Sequence, residues 1–208
     1  MTKFRTTIFL LAVTLALASC RTPPPILTIT EHNCVMVPDL TTAKPILLKT
    51  DTPARVTIDD KTACLQPVGE TPRLYAVFKL PQESTTPYFL SVSSEARGRG
   101  VLAPYLVLLD ANGAVLRHIA HDKFTFRGTT LNTAFHPQSG ETYLLVASDP
   151  EFVGQQSSGI VASTQTAAAA TGTGGFFVMT MGREQTQSIT RAHSGIISVS
   201  AEPMPNPR

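Results

Sequence analysis

Residues 105–119 read Tyr105-Leu-Val-Leu-Leu109, Asp110-Ala-Asn-Gly113, Ala114-Val-Leu-Arg-His-Ile119. The first segment is apolar throughout, the pattern of a strand buried on both faces. The second is a turn signal, because Asp and Asn bond their own backbone and Gly accepts the positive φ of a tight reversal. The third returns with residues suited to a strand. Together they predict a β-hairpin over 105–119.

Outward from this hairpin the same rhythm repeats. Strands are predicted at Pro45–Lys49, Arg55–Ile58, Leu74–Leu80, Tyr88–Ser93, Thr129–Phe135, Thr142–Ser148, Phe176–Met181 and Gly195–Ala201. Asp51–Pro53, Pro81 and Arg97-Gly-Arg-Gly100 punctuate them. No long segment carries a 3.6-residue period, so little helix is expected. The predicted fold is all-β, an antiparallel β-sandwich or jelly-roll-like domain over residues 44–201. Residues 154–175 are rich in Ser, Thr, Ala, Gln and Gly and carry no charge. That composition predicts a long mobile loop, with a short helix around Ala167–Ala170. Residues 202–208 contain three prolines and are expected to be a disordered tail.

The amino terminus has a separate logic. Lys3 and Arg5 precede an apolar run from Ile8 to Ala18, and Leu17-Ala18-Ser19-Cys20 follows. The run is 11 residues long, right for a signal-peptide core and too short for a spanning helix. Leu17–Cys20 resembles the lipobox of bacterial lipoproteins, where small residues admit the peptidase and the cysteine thiol takes a diacylglyceryl group. Residues 1–19 are therefore expected to be cleaved, leaving lipid on Cys20. Residue 21 is Arg rather than Asp, which by Gram-negative sorting rules implies the outer membrane. A single acyl chain holds a protein only marginally, whereas two or three hold it firmly. Thr22-Pro23-Pro24-Pro25 continues as a stiff tether, and residues 20–43 are expected to link the lipid to the folded part.

Cleavage also changes the electrostatics. The whole chain has 17 Lys+Arg against 15 Asp+Glu. Removing Lys3 and Arg5 leaves 15 against 15, so the mature protein is neutral and no basic patch points to nucleic acid. With Cys20 assigned to lipid, Cys34 and Cys64 remain. An exported compartment oxidises thiols, so a Cys34–Cys64 disulfide is expected, with free thiols or metal ligation beside His32 as alternatives.

Reactive groups are sparse. No Gly-x-Ser-x-Gly occurs, and Ser93-Ser94 fall at a strand end. His118 and His121 lie three apart, on opposite faces of a strand, and with Asp122 read as a polar hairpin edge. His136 and His193 sit in loops without a visible partner. Asp39, Asp59, Asp60, Asp110 and Asp149 fall at turns, where Asp serves local hydrogen bonding. Tyr75, Tyr88, Tyr105 and Tyr143 fall within strands and are expected to pack. Arg97 and Arg99 read as a solvated turn. No catalytic residue, metal site or cofactor is predicted.

Residues from about 74 to 156 resemble the maltose-operon periplasmic protein (MalM-like) family. The resemblance is carried by Phe78-Lys-Leu-Pro81, Pro87-Tyr-Phe-Leu-Ser-Val92, Ala103–Arg117, Gly140–Pro150 and Val153-Gly-Gln155. The same hairpin and Gly-x-x-Tyr strand pattern also marks pre-peptidase C-terminal domains. The family implies a non-catalytic envelope protein, with carbohydrate uptake as its setting. The resulting expectation is a lipid-anchored, non-enzymatic accessory or binding protein of a Gram-negative cell envelope, contacting carbohydrate or an envelope protein. The alternative readings are a scaffold lipoprotein of an outer-membrane or secretion complex, and an envelope hydrolase using His136 or His193.

Overall fold

The computed structural model describes residues 24–30, 33–82, 87–170 and 176–204. Its strands are β1 (Ile46–Leu47), β2 (Ala54–Ile58), β3 (Cys64–Leu65), β4 (Arg73–Lys79), β5 (Tyr88–Glu95), β6 (Gly100–Leu102), β7 (Pro104–Leu109), β8 (Val115–Ile119), β9 (Thr125–Arg127), β10 (Thr130–Phe135), β11 (Tyr143–Ser148), β12 (Gln156–Ala170), β13 (Phe176–Ala192) and β14 (Gly195–Pro203). One sheet has the order β1-β4-β11-β7-β8, with β3 also on β4. A second runs β2-β14-β5-β10-β9, and a third joins β12, β13 and β6. The first two pack face to face as a β-sandwich, the all-β fold expected.

Two kinds of strand build it. In β5 and β14 burial alternates residue by residue, so Leu90 and Val92 with Ile197, Val199 and Ala201 face inward. Between them lie serines, and the outer face of that sheet is polar. In β4, β7 and β11 nearly every residue is buried. Phe78, Leu106, Leu108, Leu144 and Val146 point into the sandwich. Tyr75, Val77, Val107, Leu109 and Leu145 point the other way and form a second cluster. A doubly apolar strand needs a second cover. Val35, Leu40 and Ala43 supply it.

That cover revises the reading of residues 20–43 as a tether. Val35 bridges Leu65, with its N–H donating to Cys64 O at 2.9 Å and its carbonyl accepting from Gln66 N–H at 2.8 Å. Ile26 and Ile29 pack on the inner core. From Pro24 onward, the described chain is laid on the body because its apolar residues find uncovered strand faces there. The expected disulfide between Cys34 and Cys64 is formed and pins this strap to β3.

The hairpin of residues 105–119 is present as β7 and β8, with a register shift between Leu108 and Leu109. Asp110 organises its turn. The Oδ1 atom accepts from the N–H groups of Asn112 and Ala114, both at 2.8 Å, and Gly113 has φ +85°. Asp39, Asp59 and Asp149 act likewise at their own turns, accepting from Thr41, Lys61 and Glu151. Glu141 is buried, accepts from Gln138 N–H at 2.7 Å and is ion-paired with Arg117. This pair fastens the loop before β11 to the hairpin.

Of the expected loop 154–175, the described residues depart from expectation. Instead of a loop with a helix at 167–170, residues 156–170 form β12 and pair along their whole length with β13. Cross-strand bonding satisfies the backbone of this stretch, and small residues such as Ala and Thr fit an extended ribbon as well as a coil. β13 therefore runs far past the predicted Phe176–Met181 and reaches Ala192. The short β3, β6 and β9 were also absent from the sequence reading. β14 extends to Pro203, and Met204 N–H donates to Pro87 O at 2.8 Å, so residues 202–204 of the expected tail are held on the body, and 205–208 lie outside the described residues.

Candidate functional site

The four histidines in the described residues go to separate places. His118, on β8, is exposed, and its Nδ1 lies 2.8 Å from Tyr105 Oη. His136 is exposed, and its carbonyl accepts from Arg117 at 2.7 Å. His121 lies in a 3-10 turn rather than on a strand, stacked on Phe152 at 3.6 Å between ring centroids. Its Nε2 accepts from Arg191 at 2.7 Å. Burial first, then the Arg191 charge, lowers the His121 pKa and keeps the ring neutral. Among the described residues, no group of three or more His, Cys, Asp or Glu is placed to hold a metal ion.

His193 has a partner that was not visible in sequence. Its Nδ1 lies 2.8 Å from Ser148 Oγ, which also accepts from Leu74 N–H at 3.2 Å. The serine oxygen has one O–H and two lone pairs, so the His193 tautomer sets which of the two groups donates. A serine hydroxyl on a histidine nitrogen has the local form of a nucleophile–base pair. Here Ser148 has no solvent exposure and His193 is 4 % exposed. The neighbouring Asp149 carboxylate lies 3.9 Å from Arg73. No substrate carbonyl reaches Oγ in this arrangement, and the pair instead staples β11 and β4 to the turn after β13. The two residues lie 45 positions apart, which hid them from any spacing argument.

This staple has a pH signature. Burial, then the Arg73 charge, lowers the His193 pKa below the ordinary 6.5. Protons therefore bind the unfolded chain more readily than the folded one. The stabilisation is fully present above about pH 6.5 and is lost as pH falls through the lower folded-state value. The melting temperature of a His193→Gln protein should fall less steeply between pH 7 and pH 5 than that of the parent. An unchanged slope would remove His193 from the account and leave His121.

The outer face of the first sheet carries a groove of about 250 Å³. Met36 and Val37 of the strap form one rim, Val115 and His118 of β8 the other, and Leu109 and Leu145 the floor. Met36 and Val37 are each 68 % exposed and Val115 55 %, an unusual amount of apolar surface for a rim. At its polar end Arg73 lies 4.3 Å over the Tyr105 ring and donates to Glu70 at 3.0 Å. One face of that tyrosine is therefore occupied by a cation. The groove suits apolar side chains better than a sugar ring.

The second surface is the β12–β13 ribbon, here called the arm. Its register runs from Gln156↔Thr190 to Ala170↔Phe176. At roughly 3.3 Å per residue it is about 50 Å long. Among the described residues its ladder to the body is at the root, where Thr190–Ala192 pair in parallel with Gly100–Leu102 and Ile189 is fully buried. Farther out, Thr164, Thr166, Ala167, Ala168, Thr180 and Gly182 are exposed. Val178 is 54 % exposed and Met179 48 %. The chain near the amino terminus meets this root. Ile26 N–H donates to Ser194 Oγ at 3.0 Å, and His193 N–H donates to Ile26 O at 2.7 Å.

Cys20, the expected lipid site, and His32, the alternative ligand, lie outside the described residues, as do most of the tail and the whole of the predicted signal peptide. Among the described residues no helix is long and apolar enough to cross a membrane. Searched against protein-family models, curated proteins and solved structures, the chain matches none of them.

Proposed function

We propose that this chain is a lipid-anchored, non-catalytic protein of the Gram-negative cell envelope that works by contact with other protein chains. The observation that carries this is the arm. A two-stranded ribbon is marginal in water on its own, and one of this length with exposed Val178 and Met179 calls for a partner surface. The exposed apolar rim of the groove adds a second surface of the same character. This reading places the scaffold alternative ahead of the carbohydrate setting that the MalM-like resemblance implies, because the Tyr105 ring is partly taken by Arg73.

Two experiments test it. Cys20→Ser should abolish palmitate labelling and release the protein into the soluble periplasmic fraction, and globomycin should cause precursor to accumulate in the parent. Free soluble parent protein would count against the anchor. For the contact role, the arm can be shortened by joining Ser157 to Ile189, which are paired, through an Asn-Gly turn. The shortened protein should stay folded and acylated but extract in detergent as a single chain. The full-length protein should extract in a stoichiometric assembly. Identical behaviour of the two would defeat the reading.

A further inference from the structure

We infer that the arms of several copies of this chain pair edge to edge, β12 of one against β13 of the next, and close a β-barrel across the bilayer beside the lipid anchor. The inference rests on the reading of the chain as anchored through Cys20 and acting through its arm.

Three observations carry it. The first is the state of the edges. Among the described residues β12 pairs with β13 alone, and β13 has a second neighbour only at Thr190–Ala192. Soluble proteins protect such edges with charge, above all lysine. This one does not: no Asp, Glu, Lys or Arg occurs between Glu151 and Arg183.

The second is length. From the pair Ala170↔Phe176, charge first appears in the register at Ser163↔Arg183 and then at Ala162↔Glu184, the eighth and ninth pairs from that end. Seven uncharged pairs precede that point, and residues 171–175, which join the two strands in sequence, are uncharged as well, so the uncharged length meets the 9–11 residues that a tilted strand needs to cross a bilayer. Arg183 and Glu184 then fall at the near headgroup level.

The third is position. Residue 25 lies against the root of the arm, since a Cβ on Gly100 would sit 2.7 Å from Pro25 Cβ. Four residue steps separate Pro24 from Cys20, at most about 14 Å of extended chain. A lipid on Cys20 therefore holds the root of a 50 Å ribbon within about 15 Å of the acyl chains, whose layer is about 30 Å thick.

Closure by further copies follows from the solvent. In hydrocarbon each unpaired backbone N–H or C=O costs several kcal/mol, so a lone ribbon cannot enter. Its two free edges differ, one from β12 and one from β13, and their contact is head-to-tail. Such a contact repeats around a ring when the rotation closes. Each copy adds two antiparallel strands, giving the even strand number of bacterial outer-membrane barrels.

The test uses the full-length acylated protein. One population carries Thr166→Cys on β12 and another carries Thr180→Cys on β13, and the two are co-expressed. These positions pair within one ribbon, so a disulfide joining the two variants links separate copies. The expected results are cross-linked pairs, oligomers that survive unheated detergent electrophoresis, and calcein release from vesicles of outer-membrane lipid. All three should be lost when Ser157 is joined to Ile189. Cross-links between copies without calcein release, with position 179 accessible to water-soluble reagents, would overturn the spanning barrel. Cross-links to a different protein and none between copies would overturn this inference while leaving the contact role standing. If shortening the arm changes nothing, both fall.

Discussion

A Gly195→Ala protein is expected to lose about 3 kcal/mol of stability or more, at the upper end of the cost of overpacking a core. Gly195 opens β14, where it pairs with Ile58. A Cβ built there lies 2.5 Å from the backbone nitrogen of Leu102 and 3.2 Å from its Cα. Leu102 is fully buried in β6, which is held by the root of the arm. A flexible side chain could swing aside, but a backbone between packed strands cannot. Relief requires β6 and β14 to separate, which loosens the core beneath them. For a domain of this size the melting temperature should fall by about 6–12 °C. Gly182→Ala is the internal control, because nothing lies within 4 Å of the Cβ it would add. If the two substitutions behave alike, the close approach of β6 and β14 is wrong.

Loss of the Cys34–Cys64 disulfide is the second large effect. The bond closes a loop with a sequence separation of 30 residues. The chain-entropy account gives about 3–4 kcal/mol for such a loop. The consequence extends beyond stability, because the bond pins the strap that carries Val35, Leu40 and Ala43 over Tyr75, Val77 and Leu109. The Cys34→Ala/Cys64→Ala protein should melt about 10 °C lower. It should also be cut by protease within residues 33–43 while the sandwich stays intact. Reduced parent protein should behave the same way. An unchanged melting temperature, or cleavage spread across the whole chain, would defeat the account.

Much of the body was legible because its strands are defined by burial. Tyr105–Leu109 reads as doubly buried, and its outward face does have a second cover. The alternation in Tyr88–Ser93 reads as half-buried, and the sheet containing it is polar outside. The arm escaped for the same reason. A strand with no core to face leaves no periodic trace, and its Ser, Thr, Ala and Gly content looks like a linker. β3 and β6 are two and three residues long, below the length at which a pattern exists. The Ser148–His193 contact depends on β11 and the turn after β13 meeting, which spacing cannot foretell. The Asp turns were readable because their hydrogen bonds reach only two to four residues along the chain.

The bonds from Ile26 to His193 and Ser194 have a mechanical meaning. Those two residues link the arm to β14, a strand flanked by β2 and β5 in the second sheet. Tension drawn through the amino-terminal chain is delivered there, at the fulcrum of a long lever. It is resisted first by these bonds and then by the ladders of β13 with β6 and β14 with β5, before the strap near Cys34 is loaded. The amino-terminal chain and the arm share one bearing, so a tilt of either is felt by the other.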